Sequence, residues 1–108
     1  MKNIPLERIV VAQIIRALKA HGVTWCIKTH GGAFQGAGLP DILGIAPQTG
    51  RLLGIEVKRP HIGKLTALQQ NQLDKIASAG GVAGVATCAD EALALLAKAN
   101  CAMMKTEG

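Results

Sequence analysis

At 108 residues and 11.2 kDa the chain matches one small domain, since a second core usually needs a chain longer than roughly 150 residues. Hydrophobic residues make up 49% and charged residues 18%, which excludes a disordered chain. The net charge of +5 and a pI near 9.5 point to an anionic partner, nucleic acid first.

The longest uncharged stretch, Ile76 to Ala89, carries three glycines and falls short of the ~20 apolar residues of a membrane span, so no membrane partner is expected. Arg8 and Arg16 interrupt the N-terminal apolar run, so a signal peptide is not expected and the cytoplasm is the expected location. Cys26, Cys88 and Cys101 form no CxxC pair and read as free thiols of a reducing compartment.

Pro5 to His21 is predicted to be helical, with Pro5 suited to a first helical position and Gly22 to a left-handed stop. A step of about 100° per residue puts Val10, Val11, Ile14 and Leu18 on one face, with Glu7 beside them, and Arg8, Ala12, Arg16 and Lys19 opposite. Glu7 has a second reading, because the helix dipole favours an acid in the first turn whatever it faces. Val23 to His30 reads as a strand in which Val23, Trp25 and Ile27 alternate against Thr24, Cys26 and Lys28. A glycine-rich connection containing Phe34 and Gly36 follows. Asp41 to Ala46 and Arg51 to Lys58 then form a hairpin around Pro47-Gln48-Thr49-Gly50. Thr66 to Ala79 is a second helix stopped by Gly80 and Gly81, and Val82 to Thr87 is a buried strand. Asp90 to about Asn100 is a last helix with Leu93, Leu96 and Ala97 on one face. The order α-β-β-β-α-β-α implies an α/β fold, a mixed four-stranded sheet flanked by helices, as a single domain over 1–108.

Symmetric pairing about the turn sets Gly44 opposite Leu53 and Asp41 opposite Glu56. Cross-strand neighbours lie about 4.5–5.5 Å apart at Cβ, and like charges there repel unless something positive lies between them. Lys58, two residues beyond Glu56, shares the face of both acids, while Ile42, Leu53, Ile55 and Val57 fill the other. Such residues at strand ends are ordinarily solvated surface, and an ExK triplet alone is common by chance. Gly38-Leu39-Pro40 before Asp41, and Glu7 upstream on a core-facing stripe, make the ensemble more specific.

Glu7, Gly38-Leu39-Pro40-Asp41, Gly54-Ile55-Glu56-Val57-Lys58-Arg59-Pro60, and Leu65-Thr66 followed by Gln69, Gly80 and Gly81 together resemble the PD-(D/E)xK nuclease superfamily. The closest likeness is to its VRR-NUC branch of small, often phage-encoded nucleases, and it runs from about Glu7 to Ala86. Gln72 departs from the pattern, standing where an aromatic is frequent. The resemblance implies a restriction-endonuclease-like fold and Mg²⁺-dependent DNA endonuclease activity, with Mn²⁺ as a substitute. It makes Asp41, Glu56 and the carbonyl of Val57 the metal ligands and Lys58 the group that orients or deprotonates the attacking water. Glu7 would complete the site through a water or a second metal. This chemistry suits the residue types, since phosphodiester hydrolysis needs a charge-neutralising cation and Mg²⁺ takes oxygen ligands with several waters. Gln69 has two compatible readings, a capping box with Thr66 and a place beside the active site.

The glycine-rich loop lacks a Gly-Lys-Ser/Thr ending, so no nucleotide cofactor is expected. Its backbone, including Gly36, can approach a phosphate strand beside Asp41, with Phe34 as a stacking group. Lys28, Arg51, Arg59 and Lys64 are expected phosphate contacts as a group. His30 ends the first strand where it can touch substrate, although it, His21 and His61 lack metal-ligand spacing and read first as surface or turn histidines. Standalone relatives of this branch imply homodimers that cleave Holliday junctions or other branched DNA, with apolar residues of the last helix such as Leu95 as an interface. The alternative is a non-catalytic nucleic-acid-binding module of the same fold.

Overall fold

The computed structural model describes residues 5–29, 38–61 and 63–101. The elements are α1 (Glu7–Ala20), β1 (Cys26–Lys28), β2 (Ile42–Ile45), β3 (Leu52–Val57), α2 (Ala67–Ser78), β4 (Val82–Ala86) and α3 (Ala89–Asn100). The strands lie in the order β1-β2-β3-β4, antiparallel except for the parallel β3–β4 pair. Parallel neighbours need a crossover connection, and α2 supplies it. The result is the expected α/β arrangement, a mixed four-stranded sheet flanked by helices.

The sheet is covered on both faces, but unequally. Gly54 of β3 meets Ile76 of α2, whereas Gly84 of β4 meets Leu95 of α3, and the β3–β4 register puts these two glycines on opposite sides. Helix α1 packs beside α3. Val10, Val11, Ile14 and Leu18 of α1 close a core over Ile42, Leu53, Ile55, Val57 and Ala86, with Leu96 of α3. Each such aliphatic side chain contributes roughly 1.5–3 kcal/mol on burial, so this face holds most of the stability.

Several boundaries shift for physical reasons. Helix α1 begins at Glu7 with Leu6 as its N-cap, so Pro5 stands just outside it. Gly22 takes the left-handed stop at φ 95°, and the Val23 amide donates to the Leu18 carbonyl at 3.0 Å. That amide is unavailable to the sheet, which leaves β1 with Cys26–Lys28 rather than Val23 to His30. Val23 is buried, but within the strand the inward set is the other one. The pairing Cys26↔Gly44 and Lys28↔Ile42 turns Cys26 and Lys28 toward α1, and Trp25 and Ile27 are 48% and 41% exposed on the side where α2 covers only β3 and β4. In α3 the buried face is Ala92, Leu96 and Ala99, with Leu93 and Leu95 packed against the core. Leu95 therefore packs over Gly84 of the sheet and is only partly exposed.

Arg51 holds the hairpin turn. Its Nε donates to the Gly80 carbonyl at 2.9 Å, and its Nη1 reaches the Lys98 and Cys101 carbonyls at 3.4 and 3.3 Å. A cation suits these helix C-terminal ends, where partial negative charge collects. It ties α2 and α3 to the turn, far from the acids, and is no phosphate contact of that site. No described helix is long and apolar enough to cross a membrane.

Candidate active site

The register Ile42↔Ile55 and Gly44↔Leu53 continues outward to Asp41 and Glu56, as the turn implied. The Asp41 side chain then crosses the hairpin, its Oδ2 accepting the Val57 amide at 2.8 Å. From the other flank, the Thr29 amide donates to the Asp41 carbonyl at 2.8 Å and the Thr29 hydroxyl to the Pro40 carbonyl at 2.7 Å. Asp41 is thus clamped between β1 and β3. Thr29 escaped the sequence reading, because nothing in its spacing marks that hydroxyl.

Gly38 explains the first glycine of the Gly-Leu-Pro-Asp run. Its φ is +79°, and a Cβ there would stand 2.6 Å from the backbone carbon and oxygen of Leu68 and 2.9 Å from the Gln69 nitrogen. The approach to Asp41 lies directly on the first turn of α2, with no room for a side chain.

Glu56 is 2% exposed, the buried charged residue among those described. Its Oε2 accepts from Gln69 Nε2 at 3.0 Å and lies 3.6 Å from Lys58 Nζ, while Oε1 is buried with no hydrogen-bond partner. Burial first, then the neighbouring Asp41 carboxyl, push the Glu56 carboxyl up to about 8; Lys58 pulls it down and Glu7 adds a smaller rise. A buried carboxylate with one orphaned oxygen beside a second acid is costly until a cation or proton arrives.

Gln69 caps α2 and also bonds Glu56. Its Oε1 accepts the Thr66 amide at 3.0 Å and its own amide donates to Thr66 Oγ1 at 3.1 Å, a complete capping box. With the side-chain oxygen occupied in this way, the NH₂ group is the end that meets Glu56. Lys58 is 15% exposed at its side chain, and its stem packs on Gly63, where a Cβ would come within 2.7 Å of Lys58 Cδ.

Glu7 is exposed in the first turn of α1, near enough for its charge to act on Glu56. It does not join the pair in one ligand cluster: among the described residues no group of three His, Cys, Asp or Glu side chains is placed to hold a metal. The oxygen set available at this point is Asp41, Glu56 and backbone, to which waters would add. That composition fits Mg²⁺, which is often bound through only one or two carboxylates. The orphaned Oε1 of Glu56 is the feature that such an ion would satisfy.

The expected phosphate contacts divide. Lys28 and Lys64 are exposed. Arg59 Nε donates to the Pro5 carbonyl at 3.0 Å, tying the segment before Glu7 to the exit of β3. His30, Phe34 and Gly36 lie outside the described residues. His21 bonds the Ala17 carbonyl through Nδ1 at 2.9 Å, and His61 sits exposed in a turn at φ 64°.

A family model for the VRR-NUC domain matches residues 7–90, a span containing Glu7, Asp41, Glu56, Lys58 and Gln69. The chain belongs to the VRR-NUC family of nuclease domains. A VRR_NUC domain protein of known structure superposes with a TM-score of 0.72 at 20% identity, over 90% of this chain and 89% of that one. At that identity the likeness is one of fold. No curated protein matches the chain.

Two outcomes follow for this VRR-NUC chain. Gly38→Ala should cost about 2 kcal/mol or more in urea unfolding, because the left-handed backbone and the α2 main chain both oppose a Cβ. Glu56 holds its proton to about 8 when folded, against an ordinary 4.5, so its contribution is fully present below about 4.5 and is lost as pH rises through about 8. In EDTA the melting temperature should fall across that window, and Glu56→Gln should flatten the slope. Equal slopes for the two proteins would contradict a buried acid.

Proposed function

We propose that the chain is a Mg²⁺-dependent DNA endonuclease, selective for Holliday junctions or other branched DNA and acting as a homodimer. The observation that carries the reading is the buried Glu56 carboxylate, with one oxygen unpartnered, beside Asp41 and Lys58. A non-catalytic module has no physical need for so costly an arrangement.

Asp41, Glu56 and the Val57 carbonyl would hold the ion. Bound there, Mg²⁺ neutralises the charge that develops on the phosphate and makes hydroxide available near neutral pH, and Mn²⁺ accepts the same oxygen set. The protein's own groups prepare the site. The Val57 amide fixes one oxygen of Asp41, and Gln69 fixes Oε2 of Glu56, leaving Oε1 without a protein partner. Lys58 orients the attacking water and meets phosphate charge as the ammonium, or takes the water's proton as the neutral amine and becomes that cation. Glu7 assists through a water or a second ion. Lys28, Lys64 and Arg59, with His30 and Gly36, contact the DNA backbone around the cut. Cutting both strands of a branch calls for two sites, hence a symmetric dimer.

The test is a labelled panel of duplex, flap, splayed-arm and four-way-junction DNA with Mg²⁺, Mn²⁺ or EDTA. Cleavage is expected with either metal and not with EDTA, favouring branched substrates. Asp41→Ala and Lys58→Ala should each lose at least about 100-fold. Light scattering at the working concentration should give a dimer, and a monodisperse monomer removes the two-site reading. Binding without cutting under every metal condition would leave the non-catalytic module, and cutting that survives Asp41→Ala would put the metal elsewhere.

A further inference from the structure

Helix α1, with Lys28 of the edge strand β1, lines an open groove of about 460 Å³ that the acidic site does not use. Val11 and Ile15 contribute to its floor, and Arg8, Arg16, Lys19 and Lys28 rim it. Among the described residues no acidic one lines it and the salt bridge formed is Lys58 with Glu56, so none of them pairs with the four cations. All four are exposed.

The groove is also oriented. Arg8 follows Glu7 directly, and Lys28 precedes Thr29, whose amide holds the Asp41 carbonyl. One end therefore meets the acidic site. At the other, Lys19 lies near enough to Cys26 of β1 for its charge to act on the thiol. A helix rises about 1.5 Å per residue, so Arg8 to Lys19 runs about 16 Å. Successive phosphates of one DNA strand lie ~7 Å apart, although the duplex axis advances only ~3.4 Å between them, and the groove thus spans roughly two or three of them.

We propose that this groove carries the sugar–phosphate backbone of a DNA arm leading away from the acidic site. Arg8 and Lys28 hold phosphates next to the cut, and Arg16 and Lys19 hold those farther along. The proposal deepens the nuclease reading and takes its substrate from it. Charge complementarity along a track of this length identifies the occupant as a regular polyanion.

Binding of a short fluorescein-labelled duplex in EDTA, followed by anisotropy across a salt series, tests it in the full chain. Arg16→Gln/Lys19→Gln should weaken binding at least about tenfold and reduce the slope of log affinity against log salt by about 2. Lys75→Gln/Lys98→Gln removes the same charge from exposed positions on α2 and α3 and should leave the slope unchanged. Arg16→Lys/Lys19→Arg, which keeps the charge, should retain it, and melting curves confirm folding of each variant. Equal effects of the two Gln pairs would overturn the groove, as would displacement by polyglutamate as efficient as by unlabelled DNA, which would favour an acidic protein partner. The two readings fail separately. Metal-dependent cutting with a wild-type slope in the groove variant leaves the nuclease and removes the groove, whereas a lost slope without cutting under any metal does the reverse.

Discussion

The bond from the Val57 amide to Asp41 Oδ2 fixes two carboxylates side by side at the open end of the β2–β3 hairpin, and their surroundings offset the resulting repulsion. A buried, incompletely paired charge costs several kcal/mol. A hydrogen bond to a charged group, such as the one from Gln69, returns about 1.5–3 kcal/mol. The remainder falls to the core, because Ile55 and Val57 flank Glu56 in sequence and are fully buried on the opposite face. The strand that seats this buried acid is also the central support of the α1/α3 core.

Topology places the other half of the site. The parallel β3–β4 pair requires a crossover, and the crossover helix must start near the end of β3 at which Glu56 and Lys58 lie. The first turn of α2 therefore arrives beside the acids, with the positive end of its dipole and the Gln69 amide on their side. Gly38 lets the chain entering Asp41 rest on that same turn. Three stretches distant in sequence meet because one connection has to be a helix.

Local chemistry made part of this legible from the sequence. The Pro47-to-Gly50 turn and the period of two set the hairpin register, and a slip of one residue would have moved Glu56 into the apolar core. The Thr66–Gln69 capping box lies within four residues, so its pattern is visible without the fold. Other features depend on coverage and distance. Alternation in Val23, Trp25 and Ile27 announces a strand but cannot say which face a helix covers, and α2 stops short of β1. Arg51 looks like a phosphate contact until Gly80, remote in sequence, presents its carbonyl. Leu95 reads as spare surface until Gly84 is found beneath it.

Gln69 has a dynamic consequence. Helix ends ordinarily open at little free-energy cost, independently of what lies elsewhere. Here the side chain that closes the first turn of α2 also fastens Glu56, so fraying of that turn and release of the carboxylate are one event. Linkage is reciprocal: whatever holds Glu56 in place slows the opening of the helix end, and whatever draws it away hastens it. The amide of Gln69 is thereby a residue-level gauge of the state of the carboxylate pair, readable by hydrogen exchange without turnover.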